Sequence, residues 1–355
     1  MHVPDGFINA PVSAVAGVVA AGAVAVSLRG ARRELGGTSR AEGHGGERTA
    51  PLAGLVAAFV FAVQMLNFPV AAGTSGHLLG GALAAILVGP WTGVLCISVV
   101  LLMQGVLFAD GGLTALGVNI DVMGVVTVVV AYALFRGLVL VLPRTRRSVT
   151  AASFVAALVS VPAAAVAFTL VYAVGGTTDV PVGKVLTAMV GVHVLIGIGE
   201  AVITMLTVGA VLAVRPDLVY GARGLTAPLK LRVDGELVDA APAAPAAPAQ
   251  GSPEKLWIGG VVTALVLAGF VSFYASASPD GLEKVAADQG IDAKAEEYEH
   301  ATADSPLADY GVRGVDAERL SGGLAGVIGV GTTLAVGTGV FLVVRRRRAA
   351  APESV

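Results

Sequence analysis

The sequence predicts an all-α polytopic membrane protein built from two unequal helical units. Three observations support this fold class: 55% of the 355 residues are hydrophobic, only 14% are charged, and the mean hydropathy is +0.81. The 47 glycines allow helices to approach each other closely in lipid. A net charge of −2 gives no support to a nucleic-acid partner. The single cysteine, Cys96, excludes an intramolecular disulfide and a multi-cysteine metal site.

Apolar segments of helical length follow one another along the chain. They occupy residues 11–28, 51–70, 78–89, 91–108, 118–142, 149–174, 184–213, 256–276 and 321–344. Arginine and lysine cluster after the first, fifth, seventh and ninth segments. Such clusters mark cytoplasmic loops, so we expect about nine crossings, with the N-terminus outside and the C-terminus in the cytoplasm.

The stretch 78–108 is divided because the charge rule requires it. As one helix it would leave three crossings between two cytoplasmic loops, where an even number is needed. Pro90 in "VGPWTG" cannot continue a helix interior, so we place the break there. The first piece is then short, which is typical of interrupted helices at transporter binding sites. The alternative is one long, tilted helix.

A Pro/Ala-rich stretch, "LVDAAPAAPAAPAQGSPEK", separates the two units. Its composition favours a semi-rigid linker without a core. We predict a transmembrane domain over 1–213, a cytoplasmic linker over 214–254, a two-helix unit over 255–348 and a tail over 349–355. The loop between the last two helices is acidic, and we interpret it as a solvated extracytoplasmic face rather than a metal funnel.

The chain begins "MHVPDGFINAP", without the basic flank and cleavage site of a standard signal peptide, so we expect Met1 to be retained. A histidine at position 2 can offer one metal the α-amine of Met1, the deprotonated amide of His2 and the imidazole Nδ1 of His2. Fused chelate rings make these three nitrogens nearly planar. A fourth nitrogen would complete a square that suits Ni(II) or Cu(II) and is acceptable to Co(II). The alternative is a chance histidine in a disordered tip.

His77 is the candidate for the fourth nitrogen. It follows the polar turn "GTSG", and irregular backbone at membrane depth is tolerated only inside protein or beside a cavity. The alternative is an interfacial histidine bonded to backbone. Asn67, before the turn, and Ser75, within it, are candidates for groups that support the site or line a pathway. We expect His44 and His300, in polar loops, to be solvated.

Other ionisable groups lie in or between the predicted helices, where charge is costly and usually faces a polar interior. His193 and Glu200 are seven residues apart and therefore share a helix face. They could support a site, form a relay or make a structural pair. Asp110, Asn119 and Asp121 lie in the glycine-rich segment "FADGGLTALGVNIDVMG", which indicates irregular backbone shielded by protein.

Small residues recur at helical spacing in "LAGLVAAFVFA". The pairs Ala53/Ala57 and Gly54/Ala58 allow another helix to dock closely. This pattern fits either internal packing or a docking face for a partner membrane subunit. The sequence contains no G-x-x-x-x-G-K-[ST] motif, so the energy for active transport would come from another protein.

Four stretches in this order resemble the CbiM/NikM family, the substrate-binding membrane components of energy-coupling factor transporters for cobalt and nickel. They are "MHVPDGFINAP", "FPVAAGTSGHLLGGALAAILVGPW", "LLMQGVLFADGGLTALGVNI" and "HVLIGIGEAVIT", and they cover roughly residues 1–213. "SPDGLEKVAADQG" with its flanking helices resembles the PDGLE domain, over about 255–345, which takes the place of the accessory subunit CbiN/NikN.

The resemblance implies a metal site made by the Met1 amine, the amide and imidazole of His2, and the imidazole of His77. It implies uptake of Co(II) or Ni(II) across a prokaryotic cytoplasmic membrane, for cobalamin biosynthesis or nickel enzymes, without a permanently bound cofactor. The implied partners are a CbiQ/NikQ-like membrane coupling protein (the T component) and two cytoplasmic CbiO/NikO-like ATPases. The chain itself would not be an enzyme. Asp121 departs from the uncharged, Asn-rich stretch of the family.

Three other functions compete with this interpretation. A stand-alone secondary transporter or channel could move metal through a relay of His193, Glu200 and Asp121. An intramembrane enzyme would need a motif such as H-E-x-x-H or a nucleophile elbow, which the sequence lacks. A vitamin-binding subunit of the same transporter class would have no use for the histidine at position 2.

Overall fold

The protein is described from a computed structural model, which covers residues 1–35, 49–71, 73–223, 230–233, 236–239, 253–276, 278–291 and 301–349. His44 and His300 lie outside these residues, as does most of the Pro/Ala-rich stretch. The expectations for these parts of the chain therefore stay predictions.

Helices form most of the described chain. Their bounds are α1 Ala10–Leu35, α2 Thr49–Gln64, α3 Gly81–Val88, α4 Pro90–Leu107, α5 Leu116–Asn119, α6 Thr127–Val141, α7 Arg146–Gly175, α8 Val182–Val214, α9 Pro253–Gly269, α10 Gly281–Gln289 and α11 Glu318–Ala349. A π-helix, Ile120–Val126, joins α5 and α6 into one span. Among the described residues seven helical spans are long and apolar enough to cross a membrane, which confirms the predicted all-α polytopic fold.

The predicted break at Pro90 is present, because α3 ends at Val88 and α4 begins at Pro90. Gly89 between them has a φ of 101°, a conformation that favours glycine. The eight residues of α3 extend only about 12 Å. Residues 77–80, which precede α3, are non-helical and buried. The predicted short segment is therefore a half-length helix entered through irregular backbone.

The inner ends of α1 and α4 are joined by one buried carboxylate. Glu34, in the last turn of α1, accepts hydrogen bonds from Trp91 N and Thr92 N at 3.1 and 2.7 Å. These amides belong to the first turn of α4 and have no partner within their own helix. Glu34 also accepts a hydrogen bond from Thr92 Oγ1 at 2.7 Å. The α1 carboxylate therefore caps α4 and fixes the two helix ends together.

The predicted helix over 51–70 is wrong at its end, because α2 stops at Gln64. Pro69 explains the difference, since proline disfavours helical backbone in the residue before it. The chain instead forms an antiparallel hairpin of β1, Phe68–Ala71, and β2, Thr74–Gly76. His77 directly follows β2 of this hairpin.

The predicted linker over 214–254 is also more structured than expected. Two antiparallel strands, β3 Lys230–Val233 and β4 Glu236–Asp239, form a hairpin within it. After it, α9 and α11 pack against each other and against α2. A Cβ on Gly326 of α11 would lie 2.3 Å from the carbonyl oxygen of Ala268 in α9, so these two helices approach to backbone contact.

The small residues of α2 pack inside the molecule. Ala53, Gly54, Ala57 and Ala58 are all buried. A Cβ on Gly54 would lie 2.2 Å from Thr338 Oγ1 of α11. The predicted docking face for a partner subunit is therefore wrong: the chain's own C-terminal helix covers it, as the alternative of internal packing requires.

We expect Gly54→Val to lower the midpoint of thermal unfolding of the detergent-purified protein. The added Cβ would lie 2.8 Å from the backbone nitrogen of Thr338. Rotation of the Thr338 side chain cannot relieve this contact, because it involves the backbone. Overpacking of this kind costs about 1–3 kcal/mol. Gly339→Val, in α11, is the matched control, because a Cβ there meets nothing within 4 Å. Equal shifts for both variants would contradict the close contact of α2 and α11.

Candidate metal centre

The N-terminal segment is inserted between the helices and held by its backbone. Val3 N donates to Asn119 Oδ1 at 2.8 Å, and Asn119 Nδ2 donates to Val3 O at 3.1 Å. Gly112 N donates to the same carbonyl at 2.9 Å. Met1 and Val3 are 3% and 0% exposed. The first three residues are therefore part of the core.

Two further contacts fix the segment on its way to α1. Asp5 Oδ1 accepts hydrogen bonds from Thr114 N, at 2.8 Å, and from Thr114 Oγ1. Phe7 O accepts from Thr177 N at 3.2 Å, just beyond the outer end of α7. The N-terminal loop is thus tied both to the segment before α5 and to the turn after α7, so the position of Met1 is well defined.

Three of the predicted site residues meet at the end of this segment. The Met1 amine nitrogen lies 2.7 Å from His77 Nε2. The rings of His2 and His77 stack, with centroids 5.1 Å apart and planes 20° from parallel. His77 Nδ1 lies 2.9 Å from Leu78 O, so this nitrogen carries the proton and Nε2 presents a lone pair. The Met1 amine and His77 Nε2 therefore face each other in a buried place.

His2 is surrounded by polar partners. Its Nδ1 lies 3.1 Å from Asp110 Oδ1, and its Nε2 lies 3.1 Å from Gln104 Oε1. Burial lowers the pKa of the His2 imidazole to about 4, although Asp110 opposes this shift. The Tyr310 hydroxyl donates to Asp110 Oδ2, and burial raises the pKa of Tyr310 well above its ordinary value. Asp110 therefore holds the Nδ1 of His2.

Asp280 is the site residue that the sequence did not reveal. Its Oδ2 lies 2.6 Å from the Met1 amine and 3.6 Å from His77 Nε2. Burial would raise the pKa of Asp280, but the Met1 ammonium and His77 outweigh burial and hold that pKa well below its usual range. Asp280 is 7% exposed. The expectation of a solvated acidic face is therefore wrong for this carboxylate.

The segment that carries Asp280 crosses over the β1–β2 hairpin. Ser276 N donates to Asn67 O at 2.7 Å. Ser75 N donates to Pro279 O at 2.8 Å, and Ser75 Oγ donates to Ser278 O at 2.7 Å. Asn67 and Ser75 were candidates to support the site, and what they contact is this segment. We call residues 276 and 278–281 the strap.

The strap ends in a capped helix that fixes the Asp280 carboxylate. Asp280 Oδ1 accepts from Leu282 N and Glu283 N at 2.7 and 2.9 Å, and Glu283 Oε2 accepts from Asp280 N at 2.8 Å. This is a capping box at the start of α10. A Cβ on Gly281 would lie 3.1 Å from His193 Cε1, so only glycine fits closely against α8. The capping pattern in "PDGLE" was the sequence signal for an ordered Asp280.

His193 and Glu200 both lie in α8 beside the site. Glu200 accepts from Leu79 N at 2.7 Å and from Gly80 N at 3.1 Å, so it holds the backbone after His77. His193 Nδ1 lies 2.7 Å from Met189 O. His193 Nε2 is buried and has no hydrogen-bond partner in the described part of the chain. Glu200 therefore holds the backbone that follows His77, and His193 lies against Gly281 of the strap.

A cavity of about 800 Å³ leads from the outer surface to the site. Its lining includes His2, His77, Asp110 and Asp280, and it is formed between the N-terminal unit and the C-terminal unit. Asp121 is not part of this lining. It lies in the π-helix, where its Oδ1 is buried without a hydrogen-bond partner among the described residues. The structure does not bring Asp121 to the site.

The spacing of the donors suits one metal ion. Ligands bound at right angles with bonds of about 2.0–2.1 Å lie about 2.8–3.0 Å apart. The separation of the Met1 amine from His77 Nε2, 2.7 Å, is close to this value. One ligand atom from each of His2, His77 and Asp280 can be chosen so that the three lie within 4.8 Å of one another. The arrangement can therefore hold a cation between nitrogen donors with a carboxylate oxygen at hand.

Comparison with known proteins agrees with the motifs. A family described as "Cobalt uptake substrate-specific transmembrane region" matches residues 2–218, and the PDGLE domain matches residues 254–346. A putative metal transport protein of Haloquadratum walsbyi is 39% identical over 62% of this chain and 94% of its own length. A putative fused nickel transport protein NikMN of Archaeoglobus fulgidus is 35% identical over 68% of this chain and 75% of its own. A crystal structure of a transition metal transporter covers 60% of this chain and 93% of its own, with 28% identity and a TM-score of 0.49.

Proposed function

We propose that this chain, which belongs to the CbiM family of cobalt-uptake transmembrane proteins and carries a PDGLE domain, is the substrate-binding subunit for uptake of Co(II) or Ni(II). It is a multi-pass protein of a prokaryotic plasma membrane. The observation that carries the proposal is the buried contact of the Met1 amine with His77 Nε2, beside His2.

The proposed ligands of the transported ion are the Met1 amine, the amide nitrogen and Nδ1 of His2, and His77 Nε2. The backbone bonds of Val3 to Asn119 support this assignment, because they fix the N-terminal residues beside His77. Formation of the chelate would turn His2 Nδ1 away from Asp110, its present partner at 3.1 Å. The ligand set contains nitrogen atoms of the kind that Ni(II) and Co(II) accept.

The proposed energy source is a set of partner proteins. The sequence has no phosphate-binding loop, so ATP hydrolysis would be performed by two cytoplasmic CbiO/NikO-like ATPases. A CbiQ/NikQ-like membrane coupling protein would link them to this chain. The chain would then be a non-catalytic subunit with metal as its substrate.

A stand-alone transporter with a His193–Glu200–Asp121 relay receives little support from the geometry. Both carboxylate oxygens of Glu200 already accept backbone amides, and Asp121 lies away from the outer cavity. No observation on the described residues favours this second function.

Metal uptake in cells tests the proposal. We expect cells that lack their own transporter to accumulate radioactive cobalt or nickel only when the chain is produced together with the coupling protein and both ATPases. ATPases with a substituted Walker-A lysine should reduce uptake to background, because they cannot supply energy. Full uptake by the chain alone would contradict the proposed subunit role and favour the stand-alone transporter.

A further inference from the structure

The C-terminal unit places a carboxylate inside the proposed metal site. Asp280 Oδ2 lies 2.6 Å from the Met1 amine and 3.6 Å from His77 Nε2, while the amine and Nε2 are 2.7 Å apart. These three atoms form a compact triangle. Its edges bracket the separation of about 2.8–3.0 Å expected for neighbouring ligands of one metal ion.

The carboxylate is held in one orientation by bonds that a ligand would keep. Its Oδ1 caps α10 through Leu282 N and Glu283 N, so only Oδ2 points to the site. The strap is pinned to the hairpin by Ser75, and Gly281 packs closely against His193. A ligand held by such surrounding contacts is pre-organised, which strengthens metal binding.

Charge and geometry assign a role to this oxygen. A divalent ion bound to the deprotonated, anionic amide of His2 leaves a net charge of +1 on the complex. Burial of an uncompensated charge is costly. Asp280 would cancel it. The four nitrogens of the proposed site fill a plane, so a further donor must lie above or below that plane.

We infer that Asp280 Oδ2 is a fifth, axial ligand of the transported ion, supplied by the C-terminal unit. This inference rests on the proposed function and extends it. The site is then a square pyramid of four nitrogens and one oxygen. Such a pyramid differs from the square-planar coordination that low-spin Ni(II) adopts with four nitrogen ligands alone.

X-ray absorption at the nickel edge of the Ni(II)-loaded, full-length protein tests the inference. We expect a five-coordinate spectrum for the wild type and a square-planar spectrum, with its distinct pre-edge peak, for Asp280→Asn. Asparagine keeps the N-cap of α10 but lacks the anionic donor. Nickel affinity of the variant should fall at least about tenfold, the lower end of losses for disturbed metal sites. Asp288→Asn, an exposed carboxylate in α10, is the control and should match the wild type.

The possible results are separable. A square-planar spectrum of the wild type would overturn the assignment, whatever the variant does. Identical spectra and affinities for wild type and Asp280→Asn would also overturn it, while nitrogen ligation of the bound nickel would leave the proposed function intact. If the wild type binds cobalt but not nickel, the same comparison is made at the cobalt edge; if it binds neither metal, the proposed function fails, and the axial ligand with it.

Discussion

Insertion of Leu-Gln between Met1 and His2 should abolish tight binding of Ni(II) or Co(II) by the purified protein. The amine would move away from the His2 amide by two residues, up to about 7 Å of chain, and the fused chelate rings could not close. We expect a loss of at least about a hundredfold in affinity, because even disturbed supporting partners cost about 10- to 100-fold. Calorimetric titration of untagged protein, its N-terminus verified by mass spectrometry, measures the change.

Two inserted residues are used for a chemical reason. One inserted residue would leave the amine and two backbone amides within chelating reach of the histidine, and a new four-nitrogen site could form. The same dipeptide added after Val355 is the control and should leave binding unchanged. Wild-type affinity in the N-terminal insertion variant would rule out the chelate of Met1 and His2.

His77→Ala should weaken nickel and cobalt binding by at least about a hundredfold. The change removes the imidazole nitrogen that lies 2.7 Å from the Met1 amine. It keeps the N-terminal chelate, so three nitrogens remain, and a coordination position is left to water. Titration of the purified variant gives the affinity, and thermal unfolding shows whether the fold is retained.

The control for this substitution is His44→Ala, in the glycine-rich loop, which should bind metal as the wild type does. Both variants remove one imidazole from the chain, so they differ only in position. Equal losses for the two variants would reject the assignment of His77 to the site.

The sequence predicts the membrane architecture well because apolar length and basic loops are local properties. The break at Pro90 follows from a proline and a charge count, and α3 and α4 are divided there. The end of α2 was predicted too late, although Pro69 marked it. The pattern of Gly54 and Ala57 predicts close approach of a helix, but it cannot say that α11 of the same chain is the partner.

The site was only partly predictable for a related reason. Metal chelation by a histidine at position 2 depends on two adjacent residues, and His77 follows a recognisable polar turn. Both features can therefore be recognised from the sequence. Asp280 is 279 positions away from Met1, and no local pattern connects them. Its capping box predicts an ordered aspartate at the start of a helix. The pattern does not predict which groups contact Oδ2, the carboxylate oxygen that does not cap the helix.

The distance along the chain between Met1 and Asp280 gives the site an order of assembly in time. Ribosomes add about 5–20 residues each second, so Asp280 is synthesised roughly 14–56 s after Met1. During that interval a nascent chain can present its amine and both histidines, but the strap and its carboxylate do not yet exist. Met1, the first residue synthesised, therefore contacts Asp280, 279 positions later, only when the C-terminal helices are inserted.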